Sequence, residues 1–180
     1  NILIENNTIV GNGRDGIWIS STESIITQNS ILGNGGCPNT LLASDPGYCM
    51  PIESGGVGIL ISGGSENLVG GEEFYTDKND IQYNRHGGIR ILGDDTTLMQ
   101  TITHNRLSNN YGSGMGIDLN GDGITVNDSL DLDTGPNQLL NYIDYFQAFP
   151  LVPSPDGGEG TGCLLLWVFI IGVLKDSPSP

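Results

Sequence analysis

Positive charge is scarce in this sequence. Six Lys and Arg stand against 21 Asp and Glu, a formal net charge of −15. So acidic a chain repels a phosphate backbone, which excludes nucleic acid as a partner. The same field favours bound cations and works against polyanionic sugars. Aromatic residues are few, at 7%, and no segment carries the 3.6-residue apolar period of an amphipathic helix. Phosphate-binding loops, zinc-ligand spacings and a Ser, Cys or His nucleophile arrangement are all missing. Of the three cysteines, Cys37 and Cys49 share one stretch and Cys163 is far away. In a secreted chain the first pair would clip a loop; elsewhere they are two free thiols. The longest apolar run, residues 164–174, is too short for an ordinary spanning helix, which needs about 20 residues.

What the chain has instead is glycine, 28 of them, and one phrase written four times. Asn79-Asp80-Ile81-Gln82-Tyr83-Asn84 leads to Gly88-Ile89-Arg90-Ile91. Asn7 to Asn12 leads likewise to Gly16-Ile17-Trp18-Ile19, Asn29 to Asn34 to Gly58-Ile59-Leu60-Ile61, and Asn105 to Asn110 to Gly116-Ile117-Asp118-Leu119. Asn7 and Asn29 are 22 residues apart, and Asn79 and Asn105 are 26 apart. A unit this short cannot bury its own apolar residues, so successive copies must stack.

Alternation assigns the faces, because neighbouring side chains on a strand point to opposite sides. Ile17/Ile19, Ile59/Ile61, Ile89/Ile91 and Ile117/Leu119 form two interior columns on one face. Ile9, Ile31, Ile81 and Leu107 form a column on a second face, and Ile4, Ile26 and Ile102 mark a third. Three strand faces per coil around an aliphatic interior make an all-β fold, a parallel β-helix of about four coils. Residues 35–56 read as an insertion rich in Gly, Pro and Cys. A smaller insertion follows Gly63, in which Asn67-Leu68-Val69-Gly70-Gly71 reads as a further turn phrase. The Asn rows at 7/29/79/105 and 12/34/84/110 are expected to take left-handed bends and to hydrogen-bond from coil to coil.

Composition divides the chain into the repeat region with its acidic closing loop (1–137), a linker rich in Pro and Gly (138–162) and a last segment (163–180). The apolar run at 164–174 reads as a buried strand opening a further, truncated β segment, with a membrane anchor as the alternative. The chain starts without Met and inside a repeat, and reads as a monomeric fragment of a larger protein.

Two places can carry chemistry. Asp118, Asn120 and Asp122 followed by Gly123 match the first half of a calcium loop, in which alternate oxygens converge on one ion. Asp128, Asp131 and Asp133 would complete the shell; otherwise the segment is an acidic cap with solvated carboxylates. The second place is the outward row Trp18, Leu60, Arg90, Asp118. Its plainer reading is an exposed Arg90–Asp118 ion pair, worth at most about 1 kcal/mol. Its sharper reading is a sugar groove with Trp18 as stacking platform and Arg90 as a contact. His86 and the pair Asp94-Asp95 read as surface and turn residues.

The phrase Ser65 to Gly71 followed by Asn79 to Ile91 is similar to repeats of the pectin-lyase-like superfamily, as found in large secreted bacterial surface proteins. Gly116 to Asp128, then Asp131 and Asp133-Thr134-Gly135-Pro136-Asn137, resembles the segment that closes the helix in those proteins. The resemblance implies a right-handed coil and an extracellular or cell-surface location. It assures no activity. Lyases of this fold set a basic residue and calcium carboxylates on one outer face, where this chain offers one Arg and one Asp. The expectation is a non-catalytic secreted module, a surface scaffold or glycan-binding region. The alternative is a fragment of a carbohydrate-active enzyme: a polysaccharide lyase, epimerase or hydrolase. A polysaccharide or cell-surface glycan is the expected partner, and no membrane span is expected.

Overall fold

A strand of three residues buries too little to stand alone, so it persists only when parallel neighbours pair with it above and below. The computed structural model describes residues 1–36, 56–73, 75–111, 115–127 and 133–140, and in it every such strand is paired. The first coil contributes β1 (Leu3–Glu5), β2 (Thr8–Val10) and β3 (Ile17–Ile19). The second contributes β4 (Ile25–Thr27), β5 (Ser30–Leu32) and β6 (Ile59–Ser62). The third has β7 (Leu68–Gly70), β8 (Asp80–Gln82) and β9 (Ile89–Leu92), and the fourth β10 (Thr101–Thr103), β11 (Arg106–Ser108) and β12 (Ile117–Leu119). They stack into three four-stranded sheets, β1-β4-β7-β10, β2-β5-β8-β11 and β3-β6-β9-β12, parallel throughout. This is the all-β, right-handed parallel β-helix of about four coils that the repeats and their resemblance implied.

The register sets like on like. Ile17, Ile59, Ile89 and Ile117 pair in succession, as do Ile19, Ile61, Ile91 and Leu119. The second sheet stacks Ile9, Ile31, Ile81 and Leu107. Ile26, Ile31, Ile59, Ile61, Val69, Ile81 and Ile91 are wholly shielded from solvent. Each β-branched side chain fits the pleated, fully buried interior of a parallel sheet.

Two expectations are corrected. Residues 67–71 are not merely a turn phrase: Leu68–Gly70 is strand β7, and Val69 sits between Ile26 and Ile102 in the first sheet's column. The extra residues of this coil lie after the strand instead, in the turn around Glu73 and Asp77. The ladder asparagines, for their part, do not take the left-handed bends. Their predecessors do: Asn6, Gly11, Gln28, Gly33, Tyr83, His104 and Asn109 all have φ between 50° and 67°. The bend turns the next side chain inward, so the strained residue keeps its own side chain in solvent while the Asn points into the stack.

Inside, the amides bond continuously. Asn29 Nδ2 donates to Asn79 Oδ1 (3.0 Å), Ile4 O (2.9 Å) and Thr27 O (2.7 Å), while its Oδ1 accepts from Asn7 N and Nδ2. Asn79 repeats the pattern onto Asn105, and Asn12, Asn34, Asn84 and Asn110 form the second row. A buried amide left unpaired would cost about 1–3 kcal/mol, so the rows hold the corners in one arrangement. The glycine before each Gly-Ile-x-Ile strand follows from these rows. A Cβ on Gly58 would lie 2.8 Å from the Gly88 carbonyl oxygen and 2.9 Å from the Asn84 amide nitrogen.

The first-sheet corner carries a third row that sequence reasoning missed. Ile2 N donates to Ser24 Oγ, Ser24 N to Asn67 Oδ1, Asn67 Nδ2 to Gln100 Oε1 and Gln100 N to Asn137 Oδ1. Asn137 belongs to the closing segment and supplies the last rung. Residues 1–140 form one compact unit. Cys37, Cys49, Cys163, residues 141–162 of the expected linker and the apolar run at 164–174 lie outside the described residues.

Candidate functional site

The outward side chains of the third sheet make a row in register, Trp18, Leu60, Arg90, Asp118. Strand spacing of about 4.8 Å puts Trp18 and Arg90 roughly 10 Å apart, with Leu60 between them. Alternation alone makes the four positions equivalent. Their surroundings do not.

At the first-coil end Trp18 is 63% exposed. Its Nε1–H donates to Ser62 Oγ at 2.6 Å, and Ser62 Oγ reaches the Ile19 carbonyl at 3.5 Å. The indole is therefore tethered by its polar edge while much of its ring meets solvent. Its neighbour in register on the next coil is the uncharged Leu60, and the residues that follow it in the chain include Ser20, Ser21 and Thr22. An oriented, wet aromatic face among hydroxyls suits stacking on the apolar face of a sugar ring.

At the fourth-coil end Asp118 is only 3% exposed. Its Oδ2 lies 3.5 Å from Arg90 Nε and its Oδ1 accepts from Gly123 N at 3.4 Å. Arg90 Nη2 donates in turn to the His86 carbonyl at 3.3 Å. Neither Arg90 Nε nor Asp118 Oδ2 makes a well-directed hydrogen bond, so the contact between them is an ion pair and little else. The expected exposed pair is thus a largely buried one. The cause is the turn after β12. Asn120 N bonds Ile91 O and prolongs the sheet, then Gly121 (φ 77°) and Gly123 (φ 103°) turn the chain back over the row. A Cβ on Gly121 would lie 2.7 Å from Leu92 Cδ2 and 3.1 Å from Arg90 Cδ.

The expected calcium ligands divide accordingly. Asp118, Asn120 and Asp122 share the turn, and Asn120 Nδ2 donates to Asp122 Oδ2 at 3.1 Å. Asp118, however, faces the Arg90 guanidinium. Asp133 enters the segment that docks Asn137 on Gln100, and Asp128 and Asp131 lie outside the described residues. Among the described residues no three His, Cys, Asp or Glu side chains come together as a metal site.

Asp94 is a turn former. Its Oδ1 accepts from Thr96 Oγ1 (2.6 Å) and Thr96 N (2.9 Å), and those bonds hold its carboxyl below the usual carboxylate range. A carboxyl so held stays ionised at neutral pH and is no proton donor. Asp77 behaves alike: the Glu73 N–H first, then the Thr76 hydroxyl, lower its titration. A cleft of about 290 Å³ lies between Leu98, Met99, Gln100, Asn137, Gln138 and Leu140. None of these six carries a charge.

Comparison with known proteins agrees with the coil. The family described as right-handed β-helix region matches residues 1–130. No curated protein and no solved structure matches the chain.

Proposed function

The chain belongs to the right-handed β-helix family, and from that premise we propose that it is a non-catalytic module of a secreted or cell-surface protein, with a glycan-binding face centred on Trp18. The observation that supports this is the tethered indole, 63% exposed, with its N–H held by Ser62. An amphipathic ring whose polar edge is already bonded can offer its apolar face to a ligand. The acidic balance favours neutral over polyanionic glycans. Among the described residues no helix is long and apolar enough to cross a membrane.

Arg90 is not part of this binding face, because its guanidinium is committed to Asp118 and the His86 carbonyl. The same commitment weakens the alternative of a carbohydrate-active enzyme. A hydrolase needs two accessible carboxylates at a defined separation; Asp118 is buried and Asp94 is tied into its turn. Calcium is likewise left out of the reading, since a second cation beside Asp118 would face the guanidinium across a few ångströms.

The test is a glycan array with the whole chain, followed by reducing-end and unsaturated-product assays on every hit. Retention of a neutral glycan without turnover is the expected result. Turnover of any polysaccharide would overturn the non-catalytic reading, and no retention of any glycan would leave a scaffold only.

A further inference from the structure

Asn-Gly dipeptides are chemically fragile because the glycine amide meets no side-chain obstacle on its way to the asparagine carbonyl. The chain has three in the described residues: Asn12-Gly13, Asn34-Gly35 and Asn120-Gly121. Two lie in the stack and one does not.

Asn34 is 1% exposed. Its Nδ2 donates to Asn84 Oδ1 and Ile9 O, its Oδ1 accepts from Asn12 N and Nδ2, and Gly35 N is spent on the Asn12 carbonyl. Asn12 is exposed, but its Nδ2 is held by Asn34 Oδ1 and its carbonyl accepts from Gly35 N and Gly36 N, which fixes the peptide plane to Gly13. Asn120 is exposed, in a left-handed conformation (φ 74°), and its side chain makes one solvent-facing bond, to Asp122. Gly121 and Gly123, both at positive φ, follow it in the turn.

We propose that Asn120-Gly121 is a spontaneous modification site at which the closing turn acquires a third carboxylate. The deprotonated Gly121 nitrogen attacks Asn120 Cγ and forms the C–N bond of a five-membered succinimide. The Cγ–Nδ2 bond breaks, and the nitrogen leaves as ammonia after taking up protons from water. Water then opens the ring at either carbonyl, giving aspartate or isoaspartate; the net change is one water consumed and one ammonia released. The amide that donated to Asp122 becomes a carboxylate beside it. Where the product is isoaspartate, the backbone over Arg90 also gains a methylene. Ladder asparagines must first open the stack, so they react at a rate scaled down by that opening equilibrium.

The experiment ages the whole chain in mildly alkaline buffer, native and in denaturant. Peptide mapping follows the amide-to-acid mass gain at each Asn-Gly, with chromatographic separation of isoaspartate. In the native chain Asn120 converts first, Asn12 more slowly, and Asn34 at least about tenfold more slowly than Asn120; in denaturant the three rates converge. Asn120→Gln removes the early acidic species and leaves the other two rates unchanged. Native conversion of Asn34 or Asn12 at the rate of Asn120 overturns the proposal. So does an Asn120 that converts in denaturant and is inert in the native chain.

Discussion

Trp18 and Asp118 occupy the same position on the first and last described coils, yet one is 63% exposed and the other 3%. Register makes them equivalent; what lies over them makes them opposites. Among the described residues, the Trp18 indole is met by a serine hydroxyl and its ring stays largely in solvent. Over Asp118 the chain turns back at Gly121 and Gly123, and a surface position becomes a buried ion pair. A solenoid face is thus open or closed coil by coil, according to what its turns do. The proposed ligand-binding face lies at the open end.

Breaking the closed end should have the largest effect. Arg90→Ala leaves Asp118 buried without its counter-ion, and urea unfolding should show a loss of about 3 kcal/mol. Arg90→Ala combined with Asp118→Asn should recover part of it, because the neutral amide no longer needs a cation. Equal losses in the single and double variants would mean that the pair does not hold the turn. Next comes Gly121→Ala, where a new Cβ meets Leu92 and Arg90 at a positive φ. Its expected cost is about 1–2 kcal/mol, and Arg90 hydrogen exchange should rise with it.

The open end predicts the reverse pattern. Trp18→Ala should change unfolding stability by no more than about 0.5 kcal/mol, the usual range for surface sites. A larger loss would show that the indole is a packing residue. The smallest effect lies in the turn that follows β9. The Asp94 carboxyl titrates below its ordinary value, so its contribution is present above the unfolded carboxylate range and fades as pH falls through the folded value. Asp94→Asn should flatten that acidic part of the stability profile and leave the neutral part unchanged, as read by thermal unfolding across pH.

Much of the coil could be read from the residues. The phrases around Ile17, Ile59, Ile89 and Ile117 gave strand, face and register together, because a two-residue alternation admits only one way to bury both isoleucines. Strand β7 escaped because Val69 lies in a glycine-rich stretch with no second isoleucine to mark it. The third polar row escaped because Ser24, Asn67, Gln100 and Asn137 differ in type. Their shared signal was a position: in three of the four, a polar side chain stands two residues before the central apolar residue of a strand, as Asn7, Asn29, Asn79 and Asn105 do. The fate of Asp118 was not legible. Alternation tells which way a side chain points, whereas burial on an outer face depends on a turn that folds back from beyond the strand.

The central claim is that ligand binding belongs to the open end of this row. The direct test titrates one neutral glycan hit against the whole chain, Trp18→Ala and the Arg90→Ala/Asp118→Asn double variant, each shown to be folded. Loss of the indole should weaken binding about tenfold, roughly 1.4 kcal/mol, while the double variant keeps the affinity of the unaltered chain. Unchanged affinity in Trp18→Ala, or a tenfold loss confined to the double variant, would contradict the account.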